Sequence, residues 1–363
     1  MDTQQNRQTG DTPLDVLVIG GGQAGLAAGY QLAAEGLRFQ IVDGADRIGA
    51  SWLLRYESLQ LFTPRAYSAL PGRTMDGDQD GYPNRAEMAQ YLESYAAKLP
   101  IRLGTKIVEL VKSTSGTFVA RTSVGDNIVA SQVIVATGSF QTPIVPDYAT
   151  QMNIQQLTPE TYRNQSTFSG NRVLVVGDGA SGRDIALELA RAGRNVMLSS
   201  GKPRRLFPET VLGKSIWWWL DRFGLMKVGP NSLIGRRMKA FDAFPDRGRS
   251  IAAMKAEGIE IVARTVGGDR NIVRLSDGTH REVDAIIWCI GYGDDTEWMK
   301  APGAISSGRF AHERGRSPVD GLFYVGRPWQ RNRASGLVMG VGDDAREIIG
   351  YIAGRNQRRR PTD

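Results

Sequence analysis

The sequence predicts an α/β protein made of two Rossmann-like dinucleotide-binding domains, the second inserted in the first. Two glycine-rich turns carry this expectation, Gly20-Gly21-Gly22-Gln23-Ala24-Gly25 and Gly177-Asp178-Gly179-Ala180-Ser181-Gly182. Each follows an apolar strand-like run and opens an alanine-rich helical run. In that context the free N–H groups and dipole of a helix N-terminus face a pyrophosphate. The third observation is a return segment after the second unit, with a buried strand expected at 322–325 and a helix at 345–353. The expected organisation is a tail over 1–13, a first domain over 14–150 plus 291–354, a second over 151–290, and a basic, disordered tail over 355–363.

In the first unit a helix is expected over 23–35 and a strand over 38–42, ended by Asp43. A carboxylate about 20 residues beyond the turn accepts ribose hydroxyls, so this end suits an unphosphorylated adenosine ribose. The stretch 44–83 is irregular and rich in Gly, Pro and aromatics, and long loops of this kind are usually functional. A helix over 85–98 leads to three short strands near 106–111, 117–122 and 127–130. The run 133–138 then reads as a separate buried strand ending in the turn Ala136-Thr137-Gly138. The second unit starts at Arg172. Its strand over 195–198 ends in Ser199-Ser200-Gly201-Lys202, followed by Arg204 and Arg205, with no acid at the point equivalent to Asp43. A 2′-phosphate fits Ser200, Lys202 and Arg204; the alternative is a solvated charge run. An insert over 203–249 carries Trp217-Trp218-Trp219, which either packs a helix, makes a dimer contact or lines a pocket. Strands near 259–262, 271–275 and 284–290 complete the unit.

Composition narrows the chemistry. No apolar run approaches the ~18 residues of a membrane span, and residues 1–12 are polar without a signal-like apolar stretch, so the expected compartment is the cytoplasm. The single cysteine, Cys289, excludes a dithiol pair. The two histidines, His280 and His312, assemble neither a metal site nor a hydrolytic triad, and no metal is expected. Three of the seven net positive charges come from the last nine residues, and no basic stripe is interleaved with stacking aromatics, so nucleic acid is not an expected partner. With few reactive side chains, the chemistry falls to a cofactor.

Several motifs together carry a family resemblance: residues 15–22, Ile48-Gly49-Ala50-Ser51-Trp52, Leu61-Phe62-Thr63-Pro64, Ala136-Thr137-Gly138, the second glycine turn, and Gly326-Arg327-Pro328-Trp329-Gln330. The chain resembles the class B flavin-dependent monooxygenases, in the bacterial flavin-containing branch, and within it the flavoproteins associated with arsenic resistance or cation efflux. The resemblance implies that NADPH reduces FAD, and that reduced FAD and O₂ give a C4a-(hydro)peroxide. One oxygen atom then passes to a small soft nucleophile (a sulfide, an amine or an organoarsenical) or to a ketone. It implies that Gly20, Gly22 and Gly25, with Gln23 and Ala24, hold the FAD pyrophosphate and Asp43 its ribose. Ser51, Trp52, Ala136 and Gly138 contact FAD, while Gly177, Gly179, Ala180, Ser181 and Gly182 hold NADPH. Trp329 and Gln330 are expected to face the flavin, with Thr63, Trp52 and Gln330 as catalytic candidates; for Trp52 and Trp329 a core role is the alternative. Two positions depart from the family pattern. Its linker signature survives only as Tyr162, with Thr158 where a histidine is expected, and Pro64 stands where many members carry an asparagine. The segment Ser200-Gly201-Lys202 lacks the arginine-threonine pair of stricter NADPH enzymes, which leaves NADH as an alternative. The rival readings are a flavoprotein reductase or oxidase on the same fold and, more remotely, a redox sensor. A homodimer is compatible with all of them.

Overall fold

The structure, a computed structural model, describes residues 13–201, 204–241 and 244–359. The apolar run before the first glycine turn forms β1, Leu14–Ile19, and the alanine-rich run after it forms α1, Gln23–Ala34, followed by β2, Phe39–Val42. Small residues dominate α1 because it is buried between the sheet and the chain's last helix; a Cβ on Gly29 would come within 2.7 Å of Ile41. The helix α2, Arg85–Ala96, starts where Asn84 accepts from the N–H groups of Ala86 and Glu87, and Glu87 accepts in return from the Asn84 N–H. That reciprocal capping box fixes the end of the long loop before it. After the short β3, Ile101–Arg102, come β4, Ile107–Lys112, β5, Phe118–Thr122, and β6, Asn127–Val135.

The two strands expected at 127–130 and 133–138 are one nine-residue strand, β6. Its first half pairs antiparallel with β5, and its second half runs parallel to β1. Ser131 and Gln132 do not interrupt it, because Gln132 lies in register with Val16 and its side chain is buried.

The second unit comprises β7, Gln155–Leu157, β8, Arg172–Val176, α3, Ala180–Arg191, and β9, Asn195–Ser199. An insert then contributes α4, Ile216–Arg222, and α5, Leu233–Phe241. Beyond it lie α6, Ile251–Ala256, β10, Glu260–Val262, a three-stranded meander β11, Thr265–Asp269, β12, Ile272–Leu275, and β13, His280–Glu282, and finally β14, Ala285–Trp288. The strands β7, β11 and β13 escape the sequence pattern. β7 and β13 are polar (Gln-Gln-Leu, His-Arg-Glu) and lack the β-branched and aromatic residues that mark strands, and in β11 Gly267-Gly268 interrupts the signal of Thr265 and Val266. The chain returns through β15, Leu322–Tyr324, to α7, Val338–Arg359.

The first sheet has the order β3-β2-β1-β6-β5-β4, with β15 parallel to β6. The second has the order β10-β9-β8-β14-β7 and is parallel throughout. The helix α7 is longer than the expected 345–353. Its first turns carry Gly340 and Gly342, which hide the apolar period; Gly342 is small because a Cβ there would overlap Pro71. Residues 355–359, expected as disordered tail, are its last turn.

Two crossings join the units, and they meet. Thr142–Pro143 pairs antiparallel with Tyr292–Gly293. The Arg327 guanidinium, just after β15, donates to both Asp294 oxygens at 2.6 and 2.7 Å and to the Gly138 carbonyl at 2.8 Å.

On α7, Asp344 is fully buried. One carboxylate oxygen accepts from Ser335 at 3.0 Å and Arg331 at 3.4 Å, while the other has no partner among the described residues. Burial pushes this carboxyl up to about 7. The unfolded chain releases the same proton near pH ~3.9. Stability held by the protonated form is therefore complete below about pH 4 and lost as pH rises through 7, to an extent of up to roughly 4 kcal/mol. Thermal melts between about pH 5 and 8 should show the midpoint falling with pH, and Asp344→Asn should flatten that fall; an unchanged slope in the variant would remove Asp344 as its source.

Candidate functional site: two phosphate-binding turns

The two glycine turns use the same construction. At each first position φ is positive, +108° at Gly20 and +104° at Gly177, a region open mainly to glycine. A Cβ there would strike the carbonyl that ends the neighbouring strand, Ala136 in one case and Cys289 in the other. Each third glycine sits on the first: a Cβ on Gly25 would overlap the Gly20 carbonyl, and one on Gly182 the Gly177 carbonyl. The middle glycines differ from both. Nothing lies within 4 Å of a Cβ built on Gly22 or Gly179. Both cap their helices in extended conformation without a side-chain hydrogen bond. The first N–H groups of α1 and α3 thus point into open cradles, as a pyrophosphate requires.

The strand-end residues complete each cradle differently. Asp43 accepts from the N–H of Gly21 at 2.6 Å and of Ala45 at 2.8 Å, which aims its carboxylate along the rim of the first turn. Gln23 opens α1, and its carboxamide oxygen accepts from the Trp52 indole at 3.2 Å. Ser51, beside it, is exposed, and Ala24 lies against Gly326, where a Cβ would come within 2.6 Å. Gly138 offers its carbonyl to Arg327 and Gln141. Asp43 and Ala136 therefore border the first turn, with Trp52 joined to it through Gln23.

At the second turn, Asp178 is buried and gathers three donors: Ser200 Oγ at 2.8 Å, Arg204 Nε at 3.0 Å and Arg183 at 3.3 Å. Ser200 and Arg204 are thereby held at the mouth of the cradle beside Ala180 and Ser181, and part of the Arg204 guanidinium is committed to Asp178. Lys202 lies outside the described residues. Sequence reasoning missed Arg264, an exposed residue just after β10 whose guanidinium stands 2.9 Å from where a Cβ on Gly201 would lie. Its distance along the chain from the glycine turn hid it.

Two residues expected to be catalytic are buried in contacts within the chain. Thr63 is buried, and its hydroxyl lies 2.8 Å from that of Ser68, whose own proton goes to the Thr63 or Pro64 carbonyl. The Thr63 and Ser68 hydroxyls are thus paired, and either can be the donor. Gln330, expected at the flavin face, is buried with its carboxamide turned onto Gly315, and its oxygen accepts from the Arg327 N–H. It shapes the turn after β15. Trp329 is different: half-buried, with φ +57° and the Arg333 guanidinium 5.7 Å from its ring. A non-glycine residue held at positive φ is strained and marks a turn set by its surroundings.

The insert covers this region. Trp217 is buried, stacks 5.8 Å from Phe62, and donates its indole N–H to the Phe62 carbonyl at 2.8 Å. Met226 accepts from the Ala334 N–H at 3.0 Å. Of the three readings of the tryptophan run, helix packing holds for Trp217. From the other side, Tyr56 of the first unit reaches into the second and donates to Asp184 at 3.1 Å; burial, with Asp184 beside it, holds its phenol well above the usual range. Cys289 packs beside the core of the second unit, where burial pushes its thiol up to about 12. It is not a nucleophile at neutral pH.

A pair of dinucleotide cradles, each at the end of a parallel strand pair, defines a flavin-type oxidoreductase with a nicotinamide partner. Residues 17–215 match the model of the pyridine nucleotide-disulphide oxidoreductase family, and the chain belongs to that family. It is 41% identical over 345 residues to a Geobacillus kaustophilus protein named "Uncharacterized oxidoreductase CzcO-like", covering 93% of this chain and 98% of that one. It is 28% identical to the rice indole-3-pyruvate monooxygenase YUCCA1, over 85% of this chain and 86% of that one. Among solved structures, the flavin-containing monooxygenase from Stenotrophomonas maltophilia matches with a TM-score of 0.81 and 26% identity, over 95% of this chain and all of that one. The family model's name refers to disulphides, but one buried cysteine forms no redox pair. The fold is that of the flavin monooxygenases.

The glycines can be separated by experiment. Gly22→Val is expected to fold with an unchanged melting profile in the flavin-free state but to lose the yellow colour, because the side chain fills only the cradle. Gly25→Ala should instead destabilise the fold by several kcal/mol, since a backbone carbonyl must move. Full flavin absorbance in purified Gly22→Val would show that this cradle holds no cofactor.

Proposed function

We propose that the protein is an FAD-dependent, NADPH-using monooxygenase that transfers one oxygen atom from O₂ to a small soft nucleophile such as a sulfide or amine. The single observation behind this reading is the pair of matched cradles, combined with a chain that lacks any dithiol to receive electrons. The residues fit the two cofactors. Gly20, Gly22 and Gly25 would hold the FAD pyrophosphate on α1 and Asp43 the ribose hydroxyls, with Trp52 and Trp329 bordering the ring. Gly177, Gly179 and Gly182 would hold the nicotinamide dinucleotide on α3. When bound, the flavin supplies hydride acceptance from NADPH and activation of O₂. The protein positions the two rings and excludes water, and the buried contacts of Trp217 with Phe62 and Met226 with Ala334 supply that cover.

A second reading, NAD(P)H oxidase, draws on a specific observation: the Thr63 hydroxyl is buried and paired with that of Ser68. The two are told apart by stoichiometry. With methyl phenyl sulfide under air, the monooxygenase should form sulfoxide as a substantial fraction of the NADPH consumed. Hydrogen peroxide accounting for all the NADPH, across sulfides, amines, ketones and trivalent organoarsenicals, would select the oxidase.

Cofactor choice turns on the end of β9. Arg264, with Arg204 and Ser200, would take the 2′-phosphate. Because a charge-assisted contact to phosphate is worth about 1.5–3 kcal/mol, Arg264→Ala should raise KM for NADPH at least roughly tenfold while leaving that for NADH little changed. Equal changes for both would exclude a phosphate contact.

A further inference from the structure

We infer that the outer face of the insert is a docking surface for an anionic lipid membrane, on which the protein lies without spanning it. The insert is held by its inner face, where Trp217, Leu220 and Met226 are buried. Its outer face exposes large apolar side chains among the described residues. Leu212, at the tip of the hairpin formed by Thr210–Val211 and Lys214–Ser215, is 87% exposed, and Phe223 is 68% exposed. These belong to one patch: the Trp219 indole donates to the Val211 carbonyl beside Leu212, stacks 5.8 Å from Phe223 and meets Trp218 edge-on at 4.7 Å. Leu212 is also held at φ +48°, a conformation that glycine or asparagine adopts at lower cost. Its side chain gains no burial within the chain in return.

The nine-residue helix α5 repeats the pattern. Among its residues only Gly235 is buried, while Leu233 is 81% and Ile234 54% exposed. Ile234, Met238 and Phe241 recur at i, i+4 and i+7 and so share one face, with Arg236 and Lys239 on the opposite side. A short helix with an exposed apolar stripe and basic residues beside and behind it, its Phe241 ring flanked by the Arg205 and Arg237 guanidinium groups at 5.0 and 6.0 Å, has the composition of an interfacial helix.

Charge identifies the occupant. Between 205 and 241 seven Lys and Arg residues stand against two acids, so this segment carries a net charge of +5. Lys214 borders Leu212, and Arg222 borders Phe223. A second copy docking through the same face about a two-fold axis would bring these cations together, whereas an anionic bilayer neutralises them and accepts the apolar tips. Stable attachment needs both signals. No helix among the described residues is long and apolar enough to cross a membrane.

Flotation of the flavin-loaded protein with vesicles tests the inference, using phosphatidylcholine alone and phosphatidylcholine with phosphatidylglycerol. The wild type should float with the anionic vesicles only, and less at high salt. Arg236→Gln with Arg237→Gln should weaken binding more than roughly tenfold, at about fivefold per charge. Leu212→Ser with Phe223→Ser, and Leu233→Ser with Ile234→Ser, should abolish it. NADPH oxidation in solution should be unchanged in all three, which keeps this outcome separate from the proposed activity. Should a serine variant lose its flavin, the arginine pair, whose members lie on the surface, carries the decision. Wild type that binds neither vesicle, or variants that float as it does, would overturn the inference. So would a dimer, measured by light scattering, that binds no vesicle and that the serine variants split; the face would then belong to a second copy.

Discussion

The placement of the two cradles depends on one buried guanidinium. Arg327 binds Asp294 on the crossing that returns from the second unit and the Gly138 carbonyl on the crossing that leaves the first. Asp294 is even more buried than the arginine, so both charges are largely withdrawn from water. Such a pair adds little net stability over an apolar equivalent, but losing one partner strands the other. Its value is geometric. It fixes two separate chain segments at the same point, and the turn carrying Trp329 begins at the same residue.

Most of the fold was legible in the sequence because the nucleotide-binding units combine two independent local signals, a buried apolar strand and a glycine turn at a helix N-terminus. Where those coincide the elements form as expected: α1, expected over 23–35, spans 23–34, and the second unit's first strand after its start at Arg172 begins at that residue. Elements without such a signal were missed. The strands β7, β11 and β13 are made by pairing with neighbours rather than by their own composition, and β6 was cut in two because its polar middle looks like a turn when its partners are unknown.

The candidate site was legible to the same extent. Glycines with positive φ or a backbone neighbour announce themselves in sequence, as Gly20 and Gly25 do. Side-chain direction does not announce itself. Thr63 and Gln330 occupy the loops expected of them, but Ser68 and Gly315 decide where their polar atoms point. The same limit applied at the other end. Asp178 was read as part of a glycine motif, yet its carboxylate organises Ser200 and Arg204, and Arg264 arrives from a different strand.

The position of β15 in the first sheet has a consequence for how the chain is made. Its partner, β6, ends at Val135, and β15 begins at Leu322. As the polypeptide leaves the ribosome, the second unit has all its strands, β7 to β14, in one continuous stretch and can close while synthesis proceeds. Through that interval one edge of β6 waits with unpaired backbone groups, the condition that invites wrong partners. The first unit is therefore the late-maturing half of the molecule, although its residues are translated first. Chaperone dependence and aggregation during expression are set by how long that edge stays open, not by the stability of the finished protein.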